Sequence, residues 1–189
     1  VNPTKVLVFS TRGIVPRFRH LMEDLRRLLP HAKREPKLDA KSRLTEANEV
    51  CELRNCNTCM LFDSRKRQDL YLWLARTPEG PSVKFQVLNV STMEELKFTG
   101  NCLSFSRPLV TFDPAFDDAP HWQLVKELLA QAFTAPKNHR KTKPFVDHVI
   151  SFFLLDNRIW FRHYQVAEDL AATGGHAGKK KLSVESNLV

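Results

Sequence analysis

Glycine is scarce in this chain, with six in 189 residues. That scarcity removes the usual phosphate-cradling loops, and no G-x-x-x-x-G-K-[ST] string is present. H-E-x-x-H and G-x-S-x-G are also missing, so neither a zinc hydrolase nor a nucleophile-elbow enzyme is expected. Long hydrophobic runs are lacking too. The longest early apolar run is Val6 to Phe9, far short of the roughly 20 residues a spanning helix needs. With no signal peptide and only four cysteines, a reducing cytosolic or nuclear compartment is expected. An apolar content of 42% with 10% aromatics nonetheless argues for a folded chain with a real core.

What the chain does have is a pattern that occurs twice, 104 residues apart. Val6-Leu7-Val8-Phe9 is followed by a polar turn, Pro16 and an amphipathic helix; Leu109-Val110-Thr111-Phe112 is followed by a turn, Pro120 and a second one. In register, Phe18 matches Trp122, Leu21 matches Val125, Leu25 matches Leu129, Leu28 matches Ala132 and Leu29 matches Phe133. A tandem α/β architecture of two related halves follows, with a possible cleft between them.

Charge adds a partner class. The net charge is +8 and uneven: residues 1–68 carry 15 Lys/Arg against 8 Asp/Glu, residues 69–136 carry 5 against 8, and residues 137–189 carry 9 against 5. Basic flanks around an acidic middle suggest a polyanion, with nucleic acid the leading candidate; the alternative is a solvated basic surface.

Periodicity places the elements. Phe18, Leu21, Met22, Leu25, Leu28 and Leu29 form one helical stripe between Pro16 and Pro30. Residues 31–44 read as an edge strand or extended loop, after which Thr45 can cap a short helix running to about Asn55. Strands are expected over Thr58 to Asp63, Leu70 to Ala75 and Val83 to Val90. The second half opens near Met93, and either Asp117 or Asp118 is placed to cap the helix from Pro120 to Phe133. His148 to Leu155 and Arg158 to Val166 read as a hairpin turned at Asp156-Asn157. From Ala171 onward the Gly/Ala/Lys/Ser composition predicts a flexible loop or tail.

Several constellations invite chemistry. Cys51, Cys56 and Cys59 have the C-x4-C-x2-C spacing of a plant-type [2Fe–2S] centre, with Cys102 beyond. Against that, Cys51 falls in a helical pattern and Cys59 in a strand pattern, and buried structural thiols account for them. No metal or other cofactor is expected. Asp113, Asp117 and Asp118 could form a two-metal acidic site, but a strand end and a helix cap explain them more simply. Ser10-Thr11-Arg12-Gly13 lies between strand and helix, where free N–H groups favour phosphate, with Arg17 and Arg19 just beyond. The matching turn of the second half, Asp113 to Asp118, would repel phosphate. Arg158, Trp160, Arg162 and Tyr164 alternate onto one strand face, able to stack bases and pair phosphates or to form a packing ladder.

These residues carry a resemblance. Leu7-Val8-Phe9-Ser10-Thr11-Arg12-Gly13 resembles the opening strand and turn of the Brix domain family. Asn48-Glu49-Val50-Cys51-Glu52, Asn55-Cys56-Asn57, Thr99-Gly100-Asn101-Cys102-Leu103, Thr111-Phe112-Asp113-Pro114-Ala115-Phe116, Pro144-Phe145-Val146-Asp147-His148 and Asp156 through Arg162 are similar to one branch of it. The likeness runs from about Lys5 to Val166. It implies two α/β halves, each similar to the anticodon-binding domains of some aminoacyl-tRNA synthetases. It also implies a nucleolar assembly factor of the large ribosomal subunit that binds precursor ribosomal RNA, other assembly factors and ribosomal proteins. The family continues into a segment beginning Leu-Val-Glu-Ile-Gly-Pro-Arg, whereas Glu168-Asp169-Leu170 here runs into a Gly/Lys/Ser insertion, so an incomplete second half is expected.

The expected organisation is therefore an N-terminal half over 1–92, a C-terminal half over 93–166 and a flexible segment over 167–189. The expected function is non-enzymatic RNA binding, with no membrane and no small-molecule substrate. The alternatives are a protein-interaction scaffold whose basic loops meet acidic proteins, or a cysteine-cluster metal or redox protein. Expected RNA contacts are Ser10, Thr11, Arg12, Arg17, Arg19, Lys33, Arg34, Lys37, Arg65, Lys66, Arg67, Arg140, Lys141, Lys143, Arg158 and Arg162, acting chiefly on phosphates.

Overall fold

The computed structural model describes residues 4–34, 44–96, 106–143, 145–168 and 182–188. Strand β1 (Val6–Ser10) leads through a turn to helix α1 (Pro16–Leu28). The turn needs Gly13, whose φ of 89° lies in the left-handed region that side chains disfavour. Pro16 stands at the start of α1, Arg26 and Arg27 complement the dipole of its last turn, and Leu21, Met22, Leu25 and Leu28 are buried. Strand β2 (Ala32–Arg34) then pairs with β1 in parallel, the expected edge strand.

Helix α2 (Leu44–Leu53) begins one residue before Thr45. Thr45 therefore sits in the first turn and is not the cap. Strands β3 (Thr58–Arg65), β4 (Asp69–Arg76) and β5 (Ser82–Val87) complete a five-stranded sheet ordered β2-β1-β3-β4-β5. β1 and β3 run parallel, and β3, β4 and β5 alternate in direction.

Among the described residues, the second half repeats the plan with fewer parts. Strand β6 (Leu109–Phe112) passes through a single 3-10 turn, Pro114–Asp117, into helix α3 (Pro120–Phe133). Strand β7 (His148–Leu155) pairs with β6 in parallel and with β8 (Arg158–Glu168) in antiparallel fashion. The hairpin turns at Asp156 and Asn157 with φ of 50° and 57°, the two positive values of a tight two-residue turn. Strand β9 (Leu182–Leu188) pairs along β8, giving the order β6-β7-β8-β9. The expectation of a flexible segment over 167–189 fails for these residues. Composition pointed to a tail, but β8 offers an unpaired edge whose backbone groups a further strand satisfies.

All five repeat-matched helix pairs have matching burial. Leu21, Leu25, Leu28 and Leu29 are buried like Val125, Leu129, Ala132 and Phe133, while Phe18 and Trp122 are both partly buried. These helices and the inner faces of both sheets share one apolar cluster, which holds Val8, Met60 and Phe62 together with Phe116, Ile150 and Phe152. Between the halves it leaves a cleft of about 490 Å³ bordered by Leu25, Leu72, Phe85, Trp122 and Phe161. A second, smaller cluster lies on the opposite face of the first sheet. There α2 places Ala47 and Cys51 over Leu7, Phe9, Cys59 and Leu61.

Polar contacts tie α1 to the stretch after β5. The buried Asp24 carboxylate accepts from Met93 N at 2.9 Å, and burial raises its pKa against the help of that bond. Arg17 donates to the Val90 carbonyl and lies 3.6 Å from Glu95. Among the described residues, no helix is long and apolar enough to cross a membrane.

Candidate nucleic-acid interface

Because β1 and β3 are parallel neighbours, their C-terminal ends lie together. The turn after β1 therefore meets the β3–β4 hairpin. Thr11 makes the join: its N–H donates to Phe62 O at 3.0 Å, and its Oγ1 donates to Asp63 Oδ1 at 3.4 Å and accepts from Ser64 N at 3.3 Å. Ser10 is buried, so from this turn it is Arg12 and Gly13 that face outward. Lys66 and Arg67 form the hairpin tip with φ of 51° and 60°, and Gln68 N closes it on Arg65 O at 3.1 Å. Arg12, Arg65, Lys66 and Arg67, about fifty residues apart in sequence, thus share one end of one sheet.

That end continues onto a face that sequence reading missed. Arg65 lies over the Tyr71 ring at 5.3 Å, and Lys84 lies 4.2 Å from the Tyr71 centroid and 5.2 Å from that of Trp73. Arg65 Nε also donates to Asp63 Oδ2 at 3.3 Å. Alternation along β4, with Tyr71 and Trp73 on one side and Leu70, Leu72 and Leu74 on the other, was the available signal. Cation-over-ring geometry of this kind suits both phosphate and base contact.

The other expected contacts fall elsewhere. Arg140, Lys141 and Lys143 belong to the loop after α3, in which Lys141 N donates to His139 Nδ1 at 3.4 Å and Lys143 Nζ lies 5.7 Å from the Phe145 ring. His139 stands edge-on to His31 at 6.5 Å, and His31 O accepts from Val6 N. This loop therefore lies at the N-terminal end of β1, with the five residues of that strand, about 16 Å at strand rise, between it and the Arg12 turn. Burial, then Lys141 and Lys5, lower the His139 pKa.

Lys33 donates to the Arg54 carbonyl at 2.8 Å, beyond the end of α2, and Arg34 lies 3.5 Å from Glu23, which Arg26 also holds at 2.7 Å. Arg17 is occupied with Val90 and Glu95. Arg19 is exposed on α1. Arg158 and Arg162 lie on the outer face of the second sheet, with Arg162 5.4 Å from the Trp160 ring centre. Lys37 is outside the described residues, as is Cys102.

Neither aspartate of the second turn caps α3. That position is Ala119, with no side-chain cap bond. Asp113 instead caps the 3-10 turn by accepting from Ala115 N at 3.2 Å, and Asp117 pairs with Lys126 at 2.7 Å. The inserted turn moves the cap two residues past Asp117, which is why spacing alone misassigned it. Cys51, Cys56 and Cys59 are buried among apolar side chains. A hydrogen bond with Cys51, reinforced by burial, pushes the Cys59 thiol pKa up, which opposes the thiolate that metal ligation requires.

Comparison with known proteins places this frame. The Brix domain model matches residues 11–186. The ribosome biogenesis protein BRX1 homolog of Homo sapiens is 57% identical over 171 residues, which cover 90% of this chain and 48% of that protein. The ribosome biogenesis protein BRX1 of Saccharomyces cerevisiae is 52% identical over 167 residues, covering 88% of this chain and 57% of that one. The chain thus spans about half the length of the curated relatives it matches. A crystal structure of a probable ribosomal biogenesis protein from Aeropyrum pernix K1 has a TM-score of 0.60 at 17% identity, covering 86% of this chain and 89% of that one, a likeness of fold. With the family pattern running through nearly all of its sequence and an α/β frame of two related halves, the chain belongs to the Brix domain family.

Proposed function

We propose that this chain is part of a non-enzymatic ribosome assembly factor of the large subunit, acting in the nucleolus by holding precursor ribosomal RNA and neighbouring assembly proteins. The observation that carries the RNA reading is the convergence of Arg12 with Arg65, Lys66 and Arg67 beside Tyr71 and Lys84. Such an edge neutralises phosphates and offers ring faces, with little means of reading bases buried in an RNA duplex. Specificity would then come from RNA shape and neighbouring proteins. The names of the relatives, ribosome biogenesis proteins, support the assembly role. Arg140, Lys141 and Lys143 would form a second phosphate contact at the far end of β1.

The test is anisotropy titration of labelled single-stranded RNA across a salt series. Replacing Arg12, Lys66 and Arg67 with alanine should weaken binding at least tenfold and reduce the log–log salt slope by about 2, at roughly 0.7 per phosphate contact. Unchanged affinity and slope in that variant, or salt-independent binding by the parent, would remove the RNA reading.

A further inference from the structure

The two sheets correspond strand for strand in their hydrogen-bond register. In the first, Val8 pairs with Met60, which pairs with Leu74; in the second, Phe112 pairs with Phe152, which pairs with Phe161. All six side chains face the shared core. One residue along, side chains switch to the outer face. There Leu61 lies beside Trp73 in the first sheet, and Phe153 lies beside Trp160 in the second. The two tryptophans hold the same place on the outer faces of the two halves.

What lies above them differs. In the first half α2 covers the face, and Trp73 packs against the cluster that holds Ala47, Cys51 and Leu61. In the second half the described residues between α3 and β7 contain no helix. Three outward apolar side chains are open, Leu109 at 52% exposed, Phe153 at 41% and Leu155 at 59%, while Ser151 on the same face is buried. Phe153, Leu155 and the Trp160 ring form an apolar patch, separated from Leu109 by the hydrogen-bonded pair Thr111 and Ser151, and an exposed apolar patch on a sheet face marks an interaction surface.

Charge indicates what would cover it. From Leu109 to Tyr164, the outward positions of β6, β7 and β8 carry Arg158 and Arg162 and no carboxylate. In the first half, the helix above the equivalent face carries Glu46, Glu49 and Glu52 and no lysine or arginine. The molecule therefore contains its own example of how such a face is closed.

We infer that the outer face of the second sheet docks an acidic amphipathic helix from a partner protein, laid over Phe153 and Trp160 as α2 is laid over Leu61 and Trp73. Three strands span about 10 Å, which two turns of helix cross. Arg158 and Arg162 meet carboxylates along its flanks, where planar guanidinium groups bind them best. RNA is the competing occupant that the test separates, since Trp160 and Arg162 offer a ring and a cation, whereas Leu109, Val149 and Leu155 offer neither. The inference is independent of the RNA reading, since Arg12, Lys66 and Arg67 lie on the other half.

Photocrosslinking in cells tests it, with Leu155→p-benzoylphenylalanine in the intact protein and mass spectrometry of the joined peptides. The expected product is a segment of another protein with apolar residues at i, i+3, i+4 and i+7 and a net negative charge. Adding Phe153→Glu should lower its yield at least tenfold. Adding Arg158→Glu at an exposed position, which leaves the apolar side chains intact, should lower it about fivefold. A crosslink to RNA, to a basic or extended segment or to the protein's own chain overturns the inference. So does the absence of any crosslink, or a yield that neither substitution changes.

Discussion

Among the described residues the first half is the more complete of the two, and the comparison separates what the fold needs from what was added to it. Both halves keep a strand, a crossing helix and a hairpin, and both helices bury matched residues in one core. The first half adds β2 and α2, so β1 has neighbours on both sides and is buried along its whole length, while β6 stands at a sheet edge and is half exposed. The turns diverge as well. Arg12 follows β1, whereas three aspartates follow β6, of which Asp113 makes a local cap and Asp117 an ion pair. Equal cores with unequal surfaces mean that stability should respond to the two halves alike, while binding should not.

The strongest way to break that comparison is at the core. Leu25→Ala and Leu129→Ala remove matched side chains that are 7% and 4% exposed. Each should cost about 2–5 kcal/mol in urea denaturation, the range for buried leucine truncation, and the two values should agree within about 1 kcal/mol. A cost below 1 kcal/mol at only one site would show that the cluster is not shared equally.

Acid is the next probe, because each half buries a histidine. His31, whose Nε2 donates to Ala132 O at 3.0 Å, has its pKa lowered by burial from 6.5 to about 4. His163, beside His148, is lowered by burial and by that neighbour to about 3. Both stay neutral in the fold while the unfolded chain takes up protons below 6.5, so their contribution is intact above that pH and is lost as pH falls. Between pH 7 and pH 5 each should withdraw about 2 kcal/mol of stability. His31→Gln keeps a donor for Ala132 but does not titrate, so it should remove about half of the acid-induced loss; His163→Gln should remove a similar share. A denaturation profile flat from pH 7 to pH 5 would contradict both assignments.

How much of this was legible in the sequence depends on the range of the interactions involved. The repeat, both long helices and the Asp156-Asn157 hairpin follow from local periodicity and turn chemistry, and they stand where expected. The grouping of Arg12 with the Arg65–Arg67 hairpin follows from the parallel pairing of β1 with β3, a contact across some fifty residues that no local pattern encodes. The contact of His139 with His31 puts Arg140, Lys141 and Lys143 at the opposite end of β1 and turns one list of basic residues into separate patches. Sequence reading also treated Arg17, Lys33 and Arg34 as available cations, although carbonyls and carboxylates engage them. Strand β9 was hidden because Leu182, Val184 and Leu188 give only a short, broken alternation behind a Gly/Lys-rich stretch, and its place depends on the open edge of β8.

The smallest expected effect lies in the acidic turn, where it separates a cap from an ion pair. Asp113 accepts from a backbone N–H that the 3-10 turn would otherwise leave unpaired. Asp117 meets Lys126 where the two side chains are 59% and 33% exposed, so solvent screens most of their attraction. Asp113→Ala should therefore destabilise by roughly 1 kcal/mol whatever the ionic strength. Asp117→Ala should cost at most about 0.5 kcal/mol, a difference that fades in high salt. Neither change should weaken RNA binding, because removing negative charge from this turn leaves the Arg12 edge untouched. Denaturation at low and high salt, run beside the RNA titration, reads all three quantities. A large, salt-sensitive loss at Asp117 would show that the ion pair, and not the Asp113 cap, holds the second turn in place.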